Sequence, residues 1–242
     1  MTDAPRLIFD AHLDMAWNAL EFNRDLLKPV SELREFESQF DGIISGECTV
    51  SWEELRRGRI GMTISTLLPR LNRKDAAMTH YQSRDAAYAS AHGQLAYYRA
   101  LTDQGVLRKI TDAASLRDHV AAWENDPTGD LPIGFILSME GSPPILSPAQ
   151  IPEWYEAGLQ ILGPAHYGPA PYCFGTGSEG GLTAEGPQLL KEMEQVGMLL
   201  DVTHLADQSF WEALDAFSGS VLASHHNCRT LVPGDRQLAD EQ

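Results

Sequence analysis

The segment Asp10-Ala-His12-Leu-Asp14, close to the start of the chain, directly follows an apolar run at residues 7–9. Side chains of a β-strand alternate between its two faces, so Asp10, His12 and Asp14 are predicted to point the same way. An apolar run followed by such polar groups is typical of a buried parallel strand whose carboxyl end carries chemistry. We therefore expect a strand over residues 6–9, after which His12 and Asp14 can bind one metal ion together.

The same arrangement occurs three more times along the chain. In each case a short apolar segment runs into a metal-binding residue type: residues 134–139 precede Glu140, residues 197–203 precede His204, and residues 220–224 precede His225. Imidazole and carboxylate ligands without thiolates favour zinc or a similar divalent ion. A catalytic zinc usually takes three protein ligands and a water, so five candidate ligands favour a site for two ions with a shared carboxylate.

The segments between these motifs predict strands that alternate with helices. Further strands are predicted at residues 61–68 and 159–163, and helices at 52–58, 75–104, 112–124, 149–157, 183–197 and 206–217, with Ser51 and Thr183 as caps. Residues 15–50 show no clear period, and residues 232–238 indicate a loop and the start of another helix. Alternating strands and helices predict a parallel sheet. Ligands after several different strands favour a barrel, because a barrel brings all its strand ends to one rim.

These motifs together resemble the membrane dipeptidase (renal dipeptidase, peptidase M19) family of the amidohydrolase superfamily. The resemblance is carried by Asp10-Ala-His12-Leu-Asp14, Ser138-Met-Glu140-Gly141, Asp201-Val-Thr-His204 and Ala223-Ser-His225-His-Asn-Cys-Arg229. It implies an α/β fold, a (β/α)8 TIM barrel of the metal-dependent hydrolase type, here as a single domain over residues 1–242. Only about six βα units are found, and no Gly-Ser-Asp motif with the family's proton-transfer aspartate follows His225. We therefore expect a C-terminally incomplete barrel that is a poor catalyst by itself.

The resemblance also implies a role for each candidate site residue. His12 and Asp14 would bind one zinc ion, His204 and His225 a second, and Glu140 would bridge them beside a hydroxide that attacks the peptide bond of a dipeptide. His166 matches the family's substrate-binding histidine and would stabilise the oxyanion. Arg236 matches an arginine that pairs with the substrate's free carboxylate, for which a planar guanidinium is well suited. The alternatives are a loop histidine at 166 and a surface arginine at 236.

Composition limits the partners. A net charge of −16 argues against nucleic acid, whose phosphates the chain would repel. Cys48, Cys173 and Cys228 are odd in number and scattered, so buried or free thiols are expected instead of a disulfide framework. No apolar run approaches the ~20 residues of a membrane span, and no signal peptide is visible. We expect a cytoplasmic protein that takes a small dipeptide and that can form a homodimer.

Two other functions stay open at this point. One is a different binuclear amidohydrolase, such as a lactonase, a phosphotriesterase or a cyclic amidase. Many of these enzymes use a carboxylated lysine at the fourth strand as the bridging ligand, whereas residues 159–163 contain no lysine and Glu140 follows the third strand. That difference favours the dipeptidase. The other is a catalytically weak fragment that keeps the metal site without efficient turnover.

Overall fold

The structure, a computed structural model, describes residues 6–41, 46–71, 80–126 and 128–242. The chain divides into two compact units. One unit takes Met1–Thr66 and Gln94–Ile136, and the other takes Leu67–Gly93 and Leu137–Gln242. The single domain expected over residues 1–242 stays a prediction.

Four parallel strands contribute to the first unit. They are β1 (Ile8–Leu13), β2 (Ile60–Leu67), β3 (Leu107–Lys109) and the first half of β4 (Ile133–Glu140). β1 pairs with β2, β2 lies next to β4, and β3 also pairs with β4. Almost every residue of β2 and β4 is buried, as expected for parallel strands covered on both faces. The buried hydroxyls of Thr63 and Ser65 in β2 satisfy each other at 2.8 Å.

The strand β1 departs from the prediction in its extent and its burial. It includes the whole Asp10–Leu13 stretch, whereas the predicted strand stopped at residue 9. Ile8 and Phe9 are 52% and 50% exposed, so the expectation of a buried strand is wrong for this part of the chain. Within its unit β1 stands at the end of the strand order, next to β2, and this position explains the exposure of its first residues.

The first unit contains helices that the sequence predicted and two, within residues 15–50, that it did not. They are α1 (Met15–Glu21), α2 (Val30–Glu37), α3 (Trp52–Arg57), the second half of α4 (Arg84–Asp103) and α5 (Ala113–Asn125). Ser51 accepts the Glu54 N–H at 3.4 Å, which confirms the cap predicted for α3. Residues 15–50, which show no clear period in the sequence, contain α1 and α2. Each has only two turns, too few to show a helical period.

The packing of the first unit is closest where β2 and β4 meet α5. A methyl group on Gly61 would lie 2.5 Å from the Trp123 ring, and one on Gly134 would lie 2.5 Å from His119 Nε2. His119 Nε2 lies 2.7 Å from the Gly61 carbonyl oxygen and 3.1 Å from the Gly134 nitrogen. This buried histidine therefore joins the helix to both strands, and the glycines make room for it.

The second unit contains the other half of the strands, again all parallel. The second half of β4 pairs with β5 (Leu159–Gly163), β5 with β6 (Leu199–Asp201), and β6 with β7 (Val221–Leu222). The helices are the first half of α4, α6 (Ile151–Ala157) after a 3-10 turn at Pro148–Gln150, α7 (Gly186–Val196) and α8 (Asp207–Ala216). Gly158 and Gly197 take left-handed backbone angles, φ 111° and 76°, and end α6 and α7.

Several predicted boundaries need correction. Helix α4 begins at Arg84, although the prediction began at residue 75; residues 75–79 of that prediction lie outside the described residues. Thr183 does not cap α7; its hydroxyl donates to the Pro171 carbonyl, and the helix begins three residues later at Gly186. Residues 223–242, all of which the structure describes, contain no helix. The described residues contain seven strands where six were predicted, because β3 has only three residues and two of them are charged.

Two expectations from composition can be compared with the structure. Among the residues that it describes, no helix combines the length and apolarity needed to span a bilayer. All three cysteines are free thiols; Cys48 and Cys173 are buried and Cys228 is exposed, as expected from their spacing.

Candidate metal centre

The second unit brings four of the predicted site residues together. Glu140 ends β4, His166 lies three residues beyond β5, His204 follows β6, and His225 follows β7. Parallel neighbouring strands end at the same edge of a sheet, so side chains just beyond these ends converge.

Glu140 is the centre of this group. Its Oε1 lies 3.1 Å from His204 Nε2, 3.2 Å from His225 Nε2 and 3.8 Å from His166 Nε2. The Glu140 side chain is 7% exposed and that of His204 only 3%, whereas His166 and His225 remain partly open at 21% and 28%. Ligand atoms of Glu140, His166 and His204 all lie within 4.8 Å of one another. The group is therefore partly closed by protein and partly accessible, as a catalytic site requires.

The hydrogen bonds of His204 determine which of its nitrogens is free. The Thr176 hydroxyl donates to the His204 carbonyl at 3.3 Å, so it can only accept from His204 Nδ1, 3.0 Å away. Burial lowers the pKa of His204, which favours the neutral ring even though Glu140 acts in the opposite direction. Nδ1 therefore carries the proton, and the bare Nε2 faces Glu140.

Ser224 contacts the corresponding nitrogen of His225. The Ser224 hydroxyl lies 2.8 Å from His225 Nδ1 and donates to the carboxylate of Asp201. With the ring neutral, a second imidazole lone pair then faces Glu140. Two lone pairs and a carboxylate oxygen at 3.1–3.2 Å repel one another unless a cation lies among them. The donor set of imidazole nitrogen and carboxylate oxygen fits zinc or a related divalent ion.

His12 and Asp14 form a pair in the first unit. His12 Nε2 lies 3.4 Å from Asp14 Oδ1, and the Thr66 hydroxyl donates to the same oxygen. Asp10 does not join them, because its Oδ1 accepts the His12 backbone N–H at 3.0 Å. Tyr98 holds the backbone next to this pair, because its hydroxyl accepts the Ala16 N–H and donates to the Thr66 carbonyl. The structure thus holds His12 and Asp14 side by side as candidate ligands.

Arg236 lies in the loop after β7 and contacts the site through the backbone. Its Nη2 donates to the His225 carbonyl oxygen at 2.7 Å. Its Nη1 is buried, and no group in the described part of the chain accepts a hydrogen bond from it. A buried guanidinium N–H without an acceptor is costly. Arg236 therefore keeps unused hydrogen-bonding capacity beside His225.

Sequence reasoning missed the residues that support these side chains. They are Thr176 behind His204, Ser224 and Asp201 behind His225, Tyr98 and Thr66 beneath the His12–Asp14 pair, and Tyr167, whose ring packs edge-on against His204 with centroids 5.0 Å apart. Asp201 and Ser224 stand inside the quoted motifs, so their positions were visible in the sequence although their contacts were not. Thr176 falls in a Gly- and Pro-rich loop over residues 167–181, where no periodic pattern points to it.

A comparison with protein families decides the relationship. The family model described as membrane dipeptidase (peptidase family M19) matches residues 4–242. The chain belongs to the membrane dipeptidase family. The resemblance inferred from the four motifs is thereby confirmed.

The relatives of this chain differ from it widely in sequence. An uncharacterized protein of Acinetobacter calcoaceticus, in the PQQ-III 3′ region, is 29% identical over 46% of this chain and 38% of its own length. An uncharacterized dipeptidase of Schizosaccharomyces pombe is 27% identical over 55% of this chain and 32% of its own length. The chain therefore aligns with well under half of the length of each of these two relatives.

Solved structures of the family show the same fold. The dipeptidase AC, a metallopeptidase of family M19, has a TM-score of 0.76 at 18% identity and covers 98% of this chain and 68% of its own. A metallopeptidase of Rhodobacter sphaeroides, liganded with a phosphinate mimic of the dipeptide L-Ala-D-Ala, has a TM-score of 0.73 at 19% identity, with 98% of this chain and 69% of its own covered. The predicted α/β barrel class is confirmed by this likeness.

Proposed function

We propose that this member of the membrane dipeptidase family is a zinc-dependent dipeptidase that hydrolyses short peptides with a free C-terminal carboxylate. The observation that carries the proposal is the group of three imidazoles around Glu140, with the Nε2 atoms of His204 and His225 at 3.1 and 3.2 Å from Oε1. A carboxylate placed among imidazole nitrogens offers a donor set that suits a divalent metal ion. Membership of a dipeptidase family supports peptide hydrolysis as the reaction.

The proposed ligands fall into two sets. Glu140, His204 and His225 would hold one ion, and the His12–Asp14 pair offers the ligands predicted for a second. Divalent ions bound there would supply Lewis acidity and lower the pKa of bound water toward ~7, which would make a hydrolytic nucleophile available at neutral pH. Glu140, with its buried carboxylate, contributes the negative charge that the cationic centre requires.

His166 would bind the substrate carbonyl. Its Nε2 lies 3.8 Å from Glu140 Oε1, so the ring stands beside the proposed metal ligand. Its ring packs against that of His204 with centroids 4.4 Å apart, and its side chain stays partly exposed. A donor held at the open side of the centre can stabilise the negative charge that develops on the carbonyl oxygen.

Arg236 would bind the substrate carboxylate. Its anchoring bond to the His225 carbonyl fixes the guanidinium next to a proposed metal ligand, and Nη1 remains to donate. A charge-assisted hydrogen bond from this nitrogen gives selectivity for a free C-terminus. The dipeptide mimic bound by the Rhodobacter sphaeroides metallopeptidase has the size of substrate that we propose here.

The test is hydrolysis by chelator-stripped and zinc-reloaded protein. L-Ala-L-Ala and L-Ala-D-Ala are assayed for released amino acid, and a homoserine lactone and a dihydropyrimidine serve as substrates of other amidohydrolases. The proposal expects zinc-dependent cleavage of at least one dipeptide and none of the lactone or cyclic amide. Cleavage of the lactone or cyclic amide alone would replace the dipeptidase with another amidohydrolase.

A further inference from the structure

We infer that Asp201 and Ser224 are positioning residues that fix the proton of His225 on Nδ1 and thereby keep its Nε2 unprotonated, as a metal ligand requires. The inference rests on the proposed metal site and extends it to two residues that no sequence motif assigned a role. All of its contacts lie within the second unit and link the ends of β6 and β7.

The first step is the carboxylate of Asp201, which is 5% exposed. Its Oδ1 accepts two backbone N–H groups, that of Thr203 at 3.0 Å and that of Ser224 at 3.2 Å. Its Oδ2 faces the Ser224 hydroxyl. A carboxylate can only accept hydrogen bonds, so the Ser224 hydroxyl must donate its single proton to Oδ2.

The second step follows from the single proton of that hydroxyl. With the proton directed at Asp201, Ser224 Oγ can only accept from His225 Nδ1, 2.8 Å away. The ring must then carry its proton on Nδ1 when it is neutral, and Nε2 presents a lone pair to Glu140 at 3.2 Å. The same histidine would fail as an Nε2 ligand in the other tautomer, because the coordinating atom would be protonated.

The third step shows why the charge of Asp201 matters and not only its shape. In Asp201→Asn the amide oxygen must stay on the two backbone N–H groups, since the opposite orientation would leave both without an acceptor. The amide NH₂ then faces Ser224 and donates to it. The Ser224 hydroxyl turns its own proton toward His225 Nδ1, and the histidine is forced into the Nε2–H tautomer. Asp201→Asn is nearly isosteric, and position 201 is two hydrogen bonds away from the imidazole. The substitution nevertheless reverses the tautomer of His225.

The experiment reads the tautomer directly in metal-free protein. Histidine labelled with ¹⁵N gives two-bond proton–nitrogen NMR correlations that distinguish Nδ1–H from Nε2–H, and zinc affinity is measured separately by competition with a chromophoric chelator. We expect Nδ1–H for His225 in the wild type and Nε2–H in Asp201→Asn, with zinc bound roughly 10- to 100-fold more weakly in the variant. Asp215→Asn, an exposed position on α8, is the matched control and should change neither reading.

A double-mutant cycle separates this role from simple support of the fold. Ser224→Ala removes the link, so adding Asp201→Asn to it should not weaken zinc binding further, whereas Ser224→Thr keeps the hydroxyl and should retain the wild-type tautomer. An unchanged tautomer in Asp201→Asn, or additive losses in the double variant, would overturn the inference. If Asp201→Asn does not fold, zinc affinity and the His225 tautomer are compared between Ser224→Ala and Ser224→Thr. Equal readings in the two variants would then overturn the inference. A wild type that binds no zinc would refute the proposed function, while the tautomer in metal-free protein would still test the inference.

Discussion

Arg236 gives the sharpest test of substrate selection. Its Nη2 anchors the loop to the His225 carbonyl, and Nη1 is buried and has no acceptor in the described part of the chain. We therefore expect one charge-assisted hydrogen bond to the C-terminal carboxylate, with a net value of about 1.5–3 kcal/mol. At 1.36 kcal/mol for each tenfold change, this corresponds to roughly 10- to 160-fold in kcat/KM.

The assay compares a dipeptide with its C-terminal amide on wild type and Arg236→Ala. In the wild type, kcat/KM for the acid should exceed that for the amide by this factor. In Arg236→Ala, kcat/KM should fall by the same factor for the acid and change little for the amide, so that the ratio of the two approaches one. Arg57→Ala, at an exposed arginine of α3, is the control for loss of a positive charge. Equal slowing of acid and amide by Arg236→Ala would refute the reasoning, because it would show that the arginine acts only by anchoring the loop.

Three further predictions concern the metal and the stability of the fold. Glu140→Gln removes the carboxylate that faces the imidazoles and should weaken zinc binding beyond the ~10- to 100-fold typical of an outer-shell change, measured as zinc retained after dialysis. Tyr98→Phe should lower the free energy of unfolding in urea by about 1–3 kcal/mol, because the buried Ala16 N–H and Thr66 carbonyl lose their partner; a loss below ~0.5 kcal/mol would contradict this. Burial lowers the pKa of His119. The neutral ring therefore stabilises the fold at pH values above the ordinary histidine pKa of about 6.5, and this stabilisation is lost as the pH falls below that value. Between pH 7.5 and pH 5 the wild type should lose more unfolding free energy than His119→Gln, and equal losses would contradict the assignment.

The sequence was most informative at the strand ends. Glu140, His204 and His225 each follow an apolar run directly, and the rule that parallel strands end at one edge was enough to predict that they meet. His166 required the family resemblance, because it stands at the start of a Gly- and Pro-rich loop without a period. The structure places it beside Glu140 and His204, as its predicted role in binding substrate requires.

Elements whose form depends on tertiary contacts were not predictable in the same way. The strand β3, Leu-Arg-Lys, has no apolar pattern and exists because it pairs with β4. The start of α7 was assigned to Thr183, although Pro187 in the first turn was the better signal. The link from Asp201 to Ser224 joins residues 23 positions apart and depends on the pairing of β6 with β7. Local patterns do not contain such contacts.

Anomalous diffraction from zinc-soaked crystals tests the central claim most directly. The account predicts a strong peak at about 2.0–2.1 Å from Nε2 of His204 and of His225 and next to the Glu140 carboxylate, with a second peak at His12 and Asp14. Crystals that take up zinc elsewhere while no peak appears beside Glu140 would contradict the metal centre and the dipeptidase function proposed from it.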